Sequence, residues 1–169
     1  MTTGSNRRKI LITGASNGIG KGAALALGPE LETGSDLILL CRSAAASAAV
    51  LQLLRELAPQ CKVSLLVCDL AQLAAVRNAI ATIRSAHGHL DAVFINAGIG
   101  YAPQRNETED NLDAHFQVNY LAQFMLTLNL LPLLEKSSVA GRVVFNATQY
   151  GQIFWHDMQL KKGWSYEKA

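Results

Sequence analysis

The stretch Thr13-Gly14-Ala15-Ser16-Asn17-Gly18-Ile19-Gly20 (TGASNGIG) follows the apolar run Ile10-Leu11-Ile12 and leads into an alanine-rich segment. Its three glycines are spaced G-x-x-x-G-x-G. Glycine is the residue of choice where the backbone turns into the left-handed region or where another group must come within contact of the main chain. In a strand-to-helix loop the first amides of the helix have no internal partner and sit at the positive end of its dipole. An anionic group is therefore the natural occupant. The phosphate loop G-x-x-x-x-G-K-[S/T] is not met, because Gly20-Lys21 has Ala15 at the first-glycine position and Gly22 after the lysine. Taken alone, the loop is weak evidence, with a structural turn as the alternative; its place after a first strand gives it weight.

Working outward, short apolar runs alternate with longer amphipathic ones. Strands are predicted at Lys9–Thr13, Asp36–Cys41, Val63–Val67, Ala92–Asn96 and Arg142–Asn146, each largely apolar on both faces, as in strands covered by helices on both sides. Helices are predicted at Gly18–Leu27, Ala45–Ala58, Leu73–Ala86 and Asn111–Leu134. In the last, Leu112, Phe116, Tyr120, Phe124 and Leu128 recur every four residues and read as a stripe facing a sheet. Such β-α alternation implies parallel strands joined by right-handed crossovers. The expected fold is α/β, a Rossmann-type doubly wound parallel sheet in three α/β/α layers, with residues 1–169 forming one domain. Residues 149–169 carry polar and aromatic side chains without periodicity, and no closing strand or helix follows them.

In that architecture the loop holds a dinucleotide pyrophosphate: Gly14 makes the turn, Gly18 admits the phosphates, and Gly20 lets helix and strand pack closely. The end of the second strand discriminates between cofactors. An acid there bonds the ribose hydroxyls of NAD, whereas an arginine holds the 2′-phosphate of NADP. The strand ends Cys41-Arg42-Ser43, with its acid, Asp36, at the opposite end. Arg42, helped by Ser43, is thus the expected 2′-phosphate ligand, against the alternative of a solvent-exposed loop arginine.

Composition bounds the other classes. Half of the 169 residues are hydrophobic, 17% are charged and the formal net charge is +2. That balance argues against a nucleic-acid or anionic-membrane surface. No apolar stretch approaches the roughly 20 residues of a membrane span, nor does the polar start read as a signal peptide. Cys41, Cys61 and Cys68 lack metal or redox spacing and read as reduced thiols in a cytoplasmic protein. On that reading the sequons at Asn106 and Asn146 are coincidental. His87 and His89 form an H-x-H pair with no third ligand nearby, so no metal site is expected.

From Lys9 to Thr148 the chain resembles the classical short-chain dehydrogenase/reductase family. The resemblance rests on the glycine loop, Cys68-Asp69-Leu70, Asn96-Ala97-Gly98-Ile99, Phe116-Gln117-Val118-Asn119-Tyr120-Leu121, and the strand Arg142-Val143-Val144 leading to Thr148, in order and at family-like spacings. It implies that Thr13, Gly14, Ser16, Asn17, Gly18, Ile19 and Gly20 form the pyrophosphate loop. It further implies that Asp69 and Leu70 meet the adenine, with helix capping by Asp69 the other reading. Asn96, Ala97 and Gly98 support the central sheet and admit the cofactor ribose. Asn119 holds a water in a proton relay, or else bonds only within the core. Thr148, where the family has serine, donates to the substrate oxygen. A homo-oligomeric contact through the long helix is also a family expectation.

The family's acid/base is the tyrosine of Tyr-x-x-x-Lys. Tyr101 is followed at the fourth position by Arg105, Tyr120 by Phe124 and Tyr150 by Phe154, while Tyr166 lies too near Ala169 for the pattern. Trp164-Ser165-Tyr166-Glu167-Lys168-Ala169 resembles the approach to that tyrosine in retinol-dehydrogenase-like members. The expectation is an NADP-dependent oxidoreductase acting on an alcohol or carbonyl, lipophilic by subgroup, and truncated just before its base; Tyr166 as the base is the alternative. A further alternative is a non-catalytic NADP(H)-binding protein or degenerate copy.

Overall fold

The structure is a computed structural model that describes residues 7–148 and 153–165. In chain order the elements are β1 (Lys9–Thr13), α1 (Gly18–Glu30), β2 (Asp36–Cys41), α2 (Ala44–Leu57), β3 (Lys62–Val67), α3 (Leu73–Ala86), β4 (Ala92–Ile95), a π-helical turn (Phe116–Leu121), α4 (Ala122–Leu134) and β5 (Arg142–Phe145). The five strands form one parallel sheet in the order β3-β2-β1-β4-β5, so the winding reverses between β1 and β4.

Alternation along each central strand sorts side chains into two cores. Leu11, Ile38, Leu40, Val93 and Ile95 pack with Val76, Ile80 and Ile83 of α3 and with Ala122, Leu126 and Leu130 of α4. Ile10, Ile12, Leu37 and Leu39 pack on the opposite face with Ala24 of α1 and Val50 and Leu54 of α2. This is the expected three-layer α/β/α arrangement. The sheet margins depart from the expectation of fully covered strands: in β5, Val144 is 50% and Phe145 56% exposed.

The long helix differs from its sequence reading in two ways. It is not one continuous α-helix, since Phe116–Leu121 is π-helical and Ala122 N donates to the Gln117 carbonyl five residues back. The stripe read as facing the sheet also faces away from it, with Tyr120, Phe124 and Leu128 about half exposed. Val118, Ala122, Leu126 and Leu130 face the sheet instead. Both sets repeat every four residues, and the outer aromatics contact one another, Phe116 tilted against Tyr120 at 5.5 Å and Tyr120 stacked on Phe124 at 5.9 Å.

Side chains distant in sequence satisfy the helix ends. Gln60 Nε2 donates to the carbonyls of Gly28, Pro29 and Leu31 at the C-terminus of α1. Helix α3 has no cap from its own N-cap residue, Gln72; Asp110 Oδ2 accepts from Leu73 N at 2.8 Å instead. At the N-terminal end of the strands the buried Asp91 accepts from Lys9 N and from Ser137 Oγ. Nearby, His87 Nδ1 is buried without a hydrogen bond, 3.6 Å from Asp36 Oδ2.

Burial lowers the His87 pKa ahead of the opposing pull of Asp36, with Lys9, Lys62 and His89 adding to the lowering. The folded chain therefore favours neutral imidazole, while unfolding returns the group to its ordinary value of 6.5. Stability from this group is complete above that value and is lost as the pH falls through it toward the lower folded value. The urea midpoint should drop between mildly alkaline and mildly acidic buffer, and His87→Gln should flatten part of that drop. An identical drop in the variant would assign it to other groups.

Candidate functional site

A cavity of about 800 Å³ opens at the C-terminal ends of the strands, over the point where the winding reverses. In open α/β sheets this crevice is the usual ligand site, because the loops on its two sides diverge. Strand β1 and the glycine loop supply one wall. Gly14 has φ +68°, and a Cβ there would lie 2.7 Å from the Cα of Ala97. Gly18 has φ +54°, and a Cβ there would meet nothing within 4 Å. The first glycine is thus demanded by packing as well as conformation, whereas the second leaves open space beside the backbone. Asn17 is the N-cap of α1 but makes no side-chain cap bond, and there is no acid in the first turn. The amides of that turn are left for a ligand.

The loop is fixed from below by a polar stitch. Thr13 is fully buried, and its Oγ1 accepts from both Asn96 N and Ala97 N at 2.9 Å. Asn96 Nδ2 donates to the carbonyls of Thr13 and Gly14, and Asn96 Oδ1 accepts from Asn146 Nδ2. A Cβ on Gly20 would come within 2.5 Å of Asn96 Nδ2. Thr13 and Gly20 therefore brace the loop without bordering the cavity. Gly14, Ser16, Asn17, Gly18 and Ile19 do border it.

Arg42 lines the cavity at the end of β2, is exposed, and makes no ion pair among the described residues. Ser43 lies outside the cavity wall and caps α2, its Oγ accepting from Ala46 N at 3.3 Å. Asp69 and Leu70 border the cavity. Asp69 Oδ1 accepts from Ala71 N, closing the turn before α3. Burial, helped by the Asp69 charge, pushes the Cys68 thiol up to about 11, so this cavity-lining sulfur stays neutral. Asn96, Ala97 and Gly98 continue the wall.

Asn119 and Thr148 are exposed and outside that wall. Within the π-helical turn Asn119 clamps one residue at both ends: Oδ1 accepts from Ile99 N at 2.8 Å, and Nδ2 donates to Ile99 O at 3.0 Å. Single π turns of this kind recur at functional sites. Gln149, Tyr150 and Tyr166 lie outside the described residues. Among the described residues no group of three His, Cys, Asp or Glu side chains is placed to hold a metal ion.

The far wall was not foreseen. Asn106 and His115 border the cavity, and His115 is 2% exposed with Nε2 2.8 Å from the Gly100 carbonyl. Asn106 had drawn attention only as a sequon. A histidine in the first turn of a helix otherwise without acidic or basic residues was the available signal for the second.

A doubly wound sheet with this loop, this stitch and this crevice defines a nucleotide-binding domain of the dehydrogenase type. The chain belongs to the short-chain dehydrogenase family, whose model matches residues 8–159. It is 37% identical over 178 residues to retinol dehydrogenase 14 of Homo sapiens, covering 96% of this chain and 51% of that protein. Over 168 residues it is 31% identical to Homo sapiens polyprenol dehydrogenase, covering 96% and 50%. Among solved structures, a short-chain dehydrogenase from Escherichia coli CFT073 complexed with NADPH superposes with a TM-score of 0.68 at 34% identity, covering 83% of this chain and 58% of that one. Levodione reductase gives 0.67 at 29% identity, covering 83% and 54%. The chain spans about half the length of the curated relatives it matches. No helix among the described residues is long and apolar enough to cross a membrane.

The stitch predicts unequal costs for two glycines. Gly20→Ala forces a methyl against the Gly14 carbonyl oxygen and Asn96 and should cost about 2–3 kcal/mol, the upper part of the usual penalty for overpacking. Gly18→Ala meets no atoms and should cost only the left-handed backbone strain, about 1 kcal/mol. Denaturant titration measures both, and equal midpoints for the two variants would contradict the packing argument.

Proposed function

We propose that this chain is the NADP-binding portion of a short-chain oxidoreductase that passes hydride between the nicotinamide and an alcohol or carbonyl carbon. The observation that carries this reading is Arg42, a cavity-lining cation at the end of β2 that makes no ion pair among the described residues. Three features fit a dinucleotide: the free amides of the first turn of α1, the open space beside Gly18, and the Asp69-Leu70 rim. The NADPH-bound relative supports the same cofactor.

When bound, the nicotinamide supplies or accepts the hydride. This chain's own residues hold and orient: the amides at Gly18 and Ile19 receive the pyrophosphate, Arg42 the 2′-phosphate, and Asp69 the adenine amine. Thr148 is read as the donor that steadies charge on the substrate oxygen, and Asn119 as the residue fixing the backbone beside the relay. The 169 residues contain no Tyr-x-x-x-Lys, so the chain by itself is read as inactive or nearly so. The second reading is an NADP(H) binder without turnover. Two relatives are named for alcohols, retinol and polyprenol, which supports a lipophilic substrate. The free thiols fit a reducing, cytoplasmic setting, and the outward stripe on α4 fits a second copy of the chain.

Titration of the chain with NADPH and NADH tests the cofactor assignment. Arg42→Ala should weaken NADPH by about ten-fold or more, the loss of a charge-assisted contact, and leave NADH nearly unchanged. Equal NADPH affinity in wild type and variant would remove Arg42 from the site. Ordinary turnover of carbonyl substrates by these 169 residues would refute the inactivity.

A further inference from the structure

Residues 153–165 carry no helix or strand, yet they are seated on the loop that closes the far end of the cavity. Arg105 Nε donates to the Gln159 carbonyl at 3.0 Å, and Asp113 N donates to Gln159 Oε1 at 2.7 Å. Leu160, next in the chain, is 6% exposed and holds φ +48°. A branched side chain keeps a left-handed backbone only where its surroundings over-determine it. Asp157 folds the same turn, its carboxylate accepting from Lys161 N and Lys162 N. Farther along, the Trp164 ring lies 6.3 Å from that of His115.

What Gln159 grips is the start of the helical segment that supports the cavity wall. The carboxylate of Asp113 caps it, Oδ1 accepting from His115 N and Phe116 N. From that segment His115 meets the Gly100 carbonyl and Asn119 clamps Ile99. Both wall residues, Ile99 and Gly100, line the cavity. On the other side Gln117, fully buried, donates to the Leu70 carbonyl and to Asp110. One short helical segment thus ties the 153–165 segment to two sides of the cavity.

We propose that Gln159, together with Arg105, is a positioning residue that seats residues 153–165 and thereby holds the Ile99-Gly100 wall in the shape that receives the dinucleotide. The coupling to nucleotide rests on the proposed function above; the clasp itself does not. Linkage makes the effect reciprocal, so a bound nucleotide favours the seated segment by the same factor that the seated segment favours the nucleotide.

The chain's two tryptophans both lie in this segment, so its state has an intrinsic signal. Trp155→Phe removes the 75% exposed one and leaves Trp164 as the sole reporter. Gln159→Ala is the informative variant, because Arg105→Ala strips the buried Asp113 carboxylate of its cation, 3.9 Å away, and risks the fold. In the Trp155→Phe background, Gln159→Ala should raise acrylamide quenching of Trp164 several-fold. It should also weaken NADP⁺ binding, read by calorimetry, roughly two- to ten-fold, the range for one hydrogen bond. Saturating NADP⁺ should restore part of the shielding. Unchanged quenching in Gln159→Ala overturns the clasp, and raised quenching with unchanged NADP⁺ affinity overturns the coupling. If the Trp155→Phe parent binds no NADP⁺ while Gln159→Ala still exposes Trp164, the clasp stands, and the nucleotide reading and its coupling fall.

Discussion

Asn96 holds the two halves of the sheet together where the winding reverses. Parallel strands β1 and β4 are neighbours, but the loops leaving them run to opposite faces, so their backbone groups lose partners just where the crevice opens. The Asn96 side chain supplies those partners, donating to the Thr13 and Gly14 carbonyls and accepting from Asn146 on the β5 side. Thr13 answers with a hydroxyl that takes two amides. The glycine loop then rests on this stitch with no room for a Cβ at Gly14 or Gly20. Two of the three glycines that look like ligand contacts in the sequence are thus required by the protein beneath them, and Gly18 alone opens onto free space.

The same economy recurs at the helix ends. Gln60, Asp110 and Gln117 each satisfy backbone groups far away in the sequence. Buried polar groups are stabilising only when their partners are in place; Asp110 and Gln117 place theirs beside the Leu70 rim of the cavity, whereas Gln60 secures the C-terminus of α1 at the other end of the sheet. Local structure serves the site in one further respect. The π-helical turn offsets the register of the helical segment before α4, bringing Asn119 onto Ile99 while Val118 and Ala122 remain on the sheet.

The strands and the glycine loop were legible because each is specified locally, by an apolar run of five or so residues bounded by turn formers. The layer order followed from β-α alternation alone. The orientation of α4 was not legible, and the reason lies in its composition. Ala122, Leu126 and Leu130 on one side and Tyr120, Phe124 and Leu128 on the other share one period, so periodicity identified a helix without saying which stripe is inside. An inserted π turn, invisible to a 3.6-residue pattern, compounds the ambiguity. His115, Asn106 and Gln159 escaped for a different reason. Gly100 lies 15 residues from His115 and Arg105 lies 54 from Gln159, while Asn106 bonds Ala114 through its backbone carbonyl, so no short window shows where these side chains lie.

The two sides of the molecule are unequally finished. Around β1 and β2 both faces are covered, and the core residues are nearly all inaccessible. At β5 the sheet ends on exposed Val144 and Phe145, and among the described residues β5 pairs with β4 alone. An apolar edge strand offers its free backbone groups to any extended segment that reaches it. The glycine loop and Arg42 follow β1 and β2 in the covered part of the sheet, with Asn146 after β5 reaching the loop only through Asn96, whereas Thr148 lies just beyond the open edge. The residues proposed for nucleotide and for substrate therefore draw on parts of the sheet with different structural support. A perturbation of the β5 edge should reach Thr148 long before it reaches the glycine loop.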